Sequence, residues 1–261
     1  MFRRPWIASA ILLTAALCAP AFASHRHQDV TVEIVGPHGA SFQQFPVERA
    51  KDAYRAYVRA EKGARYRIRV RNQTGERLGL LIAVDGRNIV SGKRSDLGRN
   101  EPKYILDPWQ MEDYSGWRTS LAEVHEFYFT EWENSYAEAF GDRSARGVIA
   151  VAVFRENLPP PHQAVSERES KLARSAAPPA SAGAADEARR ERSEPGTGFG
   201  DRREDAAVRV AFEAARHPSS RLFLKYEWPN SLCRRGLLRC DDDGNRFWDD
   251  ELTFAPHPPR Q

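Results

Sequence analysis

Cysteine and methionine are scarce in this chain, at 3 and 2 of 261 residues. So few thiols exclude a disulfide-dense scaffold and a four-thiolate zinc site. After residue 23 no apolar run approaches the roughly 20 residues that cross a bilayer as a helix. An excess of one charge is missing as well: 39 Lys and Arg stand against 36 Asp and Glu. That balance leaves no basic field of the kind a nucleic-acid partner requires. Glycine-rich chemistry is thin. Gly196-Thr-Gly-Phe-Gly200 carries neither the lysine of a phosphate loop nor G-x-G-x-x-G spacing. It reads as a turn or linker exit.

The N-terminus has a recognisable order. Arg3 and Arg4 precede the apolar stretch Ile7 to Leu17, and Ala21-Phe-Ala23 then offers small residues around a cleavage point before Ser24. Basic, apolar and small-x-small segments in succession mark a secretory signal, so residues 1–23 are expected to be removed. Leu17 stands where a lipidated Cys18 would require a small residue. Loss of Arg3 and Arg4 leaves 37 basic residues against the same 36 acids. The expected compartment is periplasmic or extracellular.

Domain organisation follows from composition. Residues 157–195 contain Pro159-Pro-Pro161 and Pro178-Pro179, are rich in Ala, Ser, Glu and Arg, and hold few large apolar side chains. Such a stretch buries too little surface to offset chain entropy of about 1 to 2 kcal/mol per residue, and it reads as a disordered linker. It separates a region at 28–156 from a smaller C-terminal one at 196–256.

The first region reads as strands. Tyr66, Ile68 and Val70 alternate with Arg65, Arg67, Arg69 and Arg71, the period of a half-buried strand. The arginine face reads as solvated and balanced by acids such as Glu61 or Glu76; an anion site is the alternative. Residues 54–60 are expected to pair with it across Glu61-Lys-Gly-Ala64. Leu78 to Val84 is nearly all apolar, as in a strand covered on both faces, and Asp85-Gly86 is the preferred centre of a type I′ hairpin turn. Further strands are expected at 31–35, 103–106, 124–130 and 147–154. Many short strands with turn residues between them predict a mainly β chain with an antiparallel β-sandwich or jelly-roll-like domain. The C-terminal segment predicts a strand at 221–228 and a short helix opened by Pro229. Sixty residues are marginal as an independent unit, so it is expected to dock on the sandwich as an edge strand and helix.

Four blocks, Ala56 to Asn72, Ile82 to Gly92, Gly116 to Ser120 and Gly147 to Val153, together with Gly196 to Gly200, Phe212-Glu213 and Leu224 to Glu227, resemble a group of uncharacterised exported proteins of Gram-negative bacteria. The resemblance implies compartment and architecture, and it carries over no catalytic residue.

Candidate sites are few. Cys233 and Cys240 are the two cysteines that remain after signal removal, and in an oxidising compartment they are expected to pair. Asp241-Asp-Asp243-Gly-Asn245, with Asp249-Asp-Glu251, offers oxygen ligands, yet its glycine does not fall at the EF-hand position. It reads as a solvated acidic turn, with a Ca2+ site at Asp241, Asp243 and Asn245 as the alternative, and no cofactor is otherwise expected. His125 sits in a strand beside Glu123, without a nucleophile elbow to make a hydrolase. Aromatic residues crowd positions 109–140. Trp109, Trp117 and Trp132 flank turns and are the candidate ligand-binding rings; core packing is the competing reading. The sequence therefore predicts a non-enzymatic binding or structural module with a partner in the envelope or outside the cell. An exported hydrolase with its site near 109–136 is the alternative.

Overall fold

The computed structural model describes residues 29–47, 53–157 and 194–240. The expected signal peptide, residues 158–193 of the expected linker, and Asp241, Asp243 and Asn245 lie outside the described residues.

In chain order the strands are β1 (Val30–Val35), β2 (Gln44–Pro46), β3 (Tyr54–Arg59), β4 (Arg65–Asn72), β5 (Leu78–Val84), β6 (Arg87–Asn88) and β7 (Tyr104–Leu106). Then come β8 (Met111–Tyr114), β9 (Gly116–Arg118), β10 (Glu123–Glu131), β11 (Val148–Arg155), β12 (Pro195–Thr197), β13 (Arg202–Glu204) and β14 (Ser220–Glu227). One helix, α1 (Pro229–Arg234), follows. The protein is mainly β, with two sheets. The first runs β1-β4-β10-β12, with β8 on β4 and with β9 and β13 on β10. The second runs β2-β3-β14-β11-β5-β6, with β7 on β5.

Side-chain alternation explains the layering. In β4, Tyr66, Ile68 and Val70 are buried while the arginines between them face outward. They share one core with Tyr54, Ala56 and Val58 of β3, alternate residues of β5 and β11, and Leu222, Leu224 and Tyr226 of β14. All seven residues of β5 are buried, because Leu81 on its outer face is covered with Ala152 and Phe154 by Ala214, Phe212 and Leu97. The β5–β6 hairpin forms as the Asp85-Gly86 pair requires. Both residues have positive φ, 50° and 81°, and Val84 pairs with Arg87 across the turn.

Two expectations are corrected. Strands β3 and β4 do not pair with each other. The turn at Gly63 (φ 79°) carries the chain from one sheet to the other, and β3 instead pairs with β2 and, in parallel, with β14. Crossing sheets lets the apolar faces of β3 and β4 oppose one another across the core, whereas a hairpin would place them side by side. The segment after residue 193 is not an edge addition either. Strand β14 lies between β3 and β11, its apolar face completing the middle of the second sheet. Beyond it, α1 begins at Pro229 as expected, and Cys233 and Cys240 stand at disulfide distance with Cα atoms 4.9 Å apart.

Candidate functional site

The three tryptophans do not form one platform. Trp109 is 64% exposed, whereas Trp117 and Trp132 are 2% and 1% exposed. Trp117 donates its indole N–H to the Gly198 carbonyl at 3.0 Å and packs edge-on to Phe127. Trp132 donates to Glu138 Oε2 at 2.8 Å. Each ring is apolar in bulk and has one donor to satisfy, so an inward partner for the N–H makes burial favourable. Proximity to turns therefore misplaces two of the three candidates.

The glycine-rich segment begins in β12, which holds Gly196 and Thr197, and Gly198 to Gly200 continue along β10 without a turn. Gly198 and Gly200 donate their N–H groups to the carbonyls of Tyr128 and Glu126 at 2.9 Å. A Cβ on Gly198 would collide with the Tyr128 ring, and one on Gly200 would stand 2.6 Å from the Glu126 carbonyl oxygen. Glycine at these positions lets the segment lie flat across β10. Between them Phe199 stacks on His125, with centroids 4.0 Å apart, and on Tyr136 at 5.3 Å. His125 is further engaged through Nδ1 with the Gly200 carbonyl at 2.9 Å, and Glu123 pairs with Arg202 at 3.2 Å. The imidazole thus works as one layer of an aromatic stack.

The outward arginines of β4 meet acids other than those expected. Arg69 binds Asp113 through two nitrogens at 2.7 and 2.9 Å, Arg67 reaches the same carboxylate at 3.2 Å, and Arg65 pairs with Glu126 at 2.6 Å and with Asp201. Glu61 and Glu76 pair elsewhere, with Arg59 and Arg155. The two arginines hold the Asp113 carboxyl below its ordinary pKa, chiefly through the hydrogen bonds from Arg69. Cross-strand register selects these partners: Asp113 lies directly opposite Arg69.

Asp85, which marks a turn in the sequence, is fully buried. Oδ1 accepts from the Tyr226 hydroxyl at 2.6 Å and from the Gly147 N–H at 2.8 Å, and Oδ2 accepts from the Thr197 N–H at 2.8 Å. The Thr197 hydroxyl continues the chain to Tyr226 at 2.8 Å and Tyr66 at 2.7 Å. Burial pushes the Asp85 carboxyl up to about 6, against the opposing effect of its hydrogen bonds. This network joins both sheets to the strand that follows residues 158–193.

A cleft of about 970 Å³ opens where β7 of one sheet and β8 of the other diverge, with residues 205–212 crossing it as a strap. Its walls are braced. Tyr104 and Tyr114 pack with centroids 4.5 Å apart. Arg118 donates from Nε to the Tyr104 hydroxyl at 2.8 Å, from Nη1 to the Asp205 carbonyl at 2.9 Å, and pairs through Nη2 with the Asp205 carboxylate. Burial raises the phenols of both tyrosines, which keeps them protonated at neutral pH. Arg118 and Asp205 are committed to each other, whereas three apolar side chains of the lining are open to solvent. Leu121, Val208 and Val210 are 49%, 84% and 52% exposed. Trp109 stands between the cleft residues Asp107 and Gln110 with its ring against Gly75. Nothing local in the sequence paired Arg118 with Asp205, 87 residues away.

Neither a family model nor a curated protein nor a solved structure matches the chain. Among the described residues no helix is long and apolar enough to cross a membrane, and no group of three or more His, Cys, Asp or Glu stands together to hold a metal ion.

Proposed function

We propose that the protein is an exported, non-enzymatic binding module of the Gram-negative cell envelope that takes its partner at the cleft between β7 and β8. The observation that carries this reading is the cleft's division of labour. The Arg118–Asp205 ion pair and the packed rings of Tyr104 and Tyr114 brace its walls, and its lining exposes Leu121, Val208 and Val210 to solvent. Braced walls lower the ordering cost of association, and clustered exposed apolar side chains mark interaction surfaces. The signal-like N-terminus and the Cys233–Cys240 pair suit an oxidising compartment.

The test begins with the full chain produced in a Gram-negative host. Recovery from the periplasmic extract with Ser24 at the N-terminus is expected. The purified mature protein should then bind isolated envelope fractions saturably, and Leu121→Glu with Val208→Glu should abolish that binding while leaving the melting transition in place. Absence of binding by the unsubstituted protein would defeat the reading. Turnover of an ester, glycoside or peptide panel, lost in His125→Ala, would replace it with the hydrolase alternative.

A further inference from the structure

The strap over the cleft is fastened at both ends and open in the middle. At its start the Asp205 carboxylate pairs with Arg118 and the Ala207 N–H donates to the Leu121 carbonyl at 2.7 Å. At its end the Phe212 ring lies over Gly79, where a Cβ would approach it to 2.6 Å. Glu213 pairs with Arg99 at 2.7 Å, and Ala214 bridges to Glu156. Between these anchors Val208, Arg209, Val210 and Ala211 are exposed and run without helix, turn or bend. Among the described residues their N–H groups donate to no backbone carbonyl. Arg209, set between the two valines, has no ion-pair or hydrogen-bond partner among the described residues.

A backbone without turn or bend whose N–H groups are unpaired among the described residues, with apolar side chains two residues apart, offers an incoming strand the same groups as a sheet edge. A second copy of this chain fits poorly. Ala207-Val-Arg-Val-Ala211 reads the same in both directions, so antiparallel self-pairing about its centre sets Arg209 against its own copy, and like charges directly opposite are destabilising. An acidic residue in that place converts the repulsion to attraction. We propose that residues 208–211 accept an extended peptide as an added strand, with an acidic side chain flanked by apolar ones lying opposite Arg209. The proposal rests on the reading of the cleft rim as a binding surface and names the chemistry of what binds there.

The experiment measures fluorescence anisotropy of the mature protein with a labelled heptapeptide, Ser-Thr-Val-Glu-Val-Thr-Ser, and with the same peptide carrying Lys in place of Glu. Saturable binding of the Glu peptide is expected, about tenfold tighter than that of the Lys peptide, and Arg209→Glu should invert the order. Arg209 is exposed, so the variant should retain its melting transition. Equal binding of the two peptides, absence of saturable binding, or a sedimenting dimer dissolved by Arg209→Glu would each overturn the proposal. Envelope binding that is lost in the Leu121→Glu, Val208→Glu variant but untouched by Arg209→Glu would overturn strand addition alone; no envelope binding by the unsubstituted protein would defeat the cleft reading with it.

Discussion

The Tyr226 hydroxyl donates a 2.6 Å hydrogen bond to Oδ1 of Asp85, and neither side chain reaches solvent. Tyr226 belongs to β14, in the middle of the second sheet, and Asp85 to the hairpin turn after β5. The contact therefore ties a turn near the start of the chain to a strand beyond residue 193. Because Thr197 and Gly147 converge on the same carboxylate, one side chain serves four segments.

Stability should fall as pH rises through the range set by Asp85. Its carboxyl is raised from 3.8 to about 6 by burial, so between these values the folded state holds a proton that the unfolded state has lost. Folding is favoured by this group below the lower value, and the advantage disappears as pH passes the upper one. The difference amounts to about 3 kcal/mol. Urea unfolding at a series of pH values should show this loss, and Asp85→Asn should remove it. Identical pH profiles for the two proteins would dismiss Asp85 as the source.

Gly198→Ala should destabilise the protein by about 1 to 3 kcal/mol, because the added methyl group meets the Tyr128 ring. Removing the ring should relieve the conflict. In a double-mutant cycle, Tyr128→Ala and Gly198→Ala are expected to couple favourably, and simple additivity would count against the close packing of β12's continuation on β10.

The tryptophans should separate sharply in cost. Trp132→Ala removes a buried ring and leaves Glu138 without its indole donor, a loss of about 3 to 5 kcal/mol. Trp109→Ala, at a mostly exposed position, should stay within about 0.5 kcal/mol. Chemical denaturation of each variant decides, and comparable losses at both positions would contradict the burial described above.

Replacing Cys233 and Cys240 with serine should lower stability by about 2 kcal/mol, as expected for a short closed loop in the chain-entropy model. Mass spectrometry of the oxidised wild type should show the loss of two hydrogens relative to the dithiol. A wild-type chain carrying two free thiols after passage through the periplasm would refute the pairing.

Local pattern determined much of this protein. Alternation of Tyr66, Ile68 and Val70 with arginines specifies a half-buried strand in any partner context, since side chains of a strand point to opposite faces. The all-apolar Leu78 to Val84 specifies a doubly covered strand, and Asp85-Gly86 specifies a tight hairpin, because positive φ at both central residues favours that pair. The signal-like order of residues 1–23 and the acidic tract at 241–251 are read from the sequence alone and lie outside the described residues. Only the tertiary structure decided which strands meet. That β3 faces β4 across the core, that β14 enters between β3 and β11, and that Trp117 and Trp132 turn inward all depend on contacts between residues remote in the chain. The candidate site was hidden for the same reason. Arg118 and Asp205 are 87 residues apart, and the apolar rim on the strap acquires its place over a cleft only when Phe212 settles on Gly79. Sequence periodicity reports which face of a strand is buried; it carries no information about the partner that buries it.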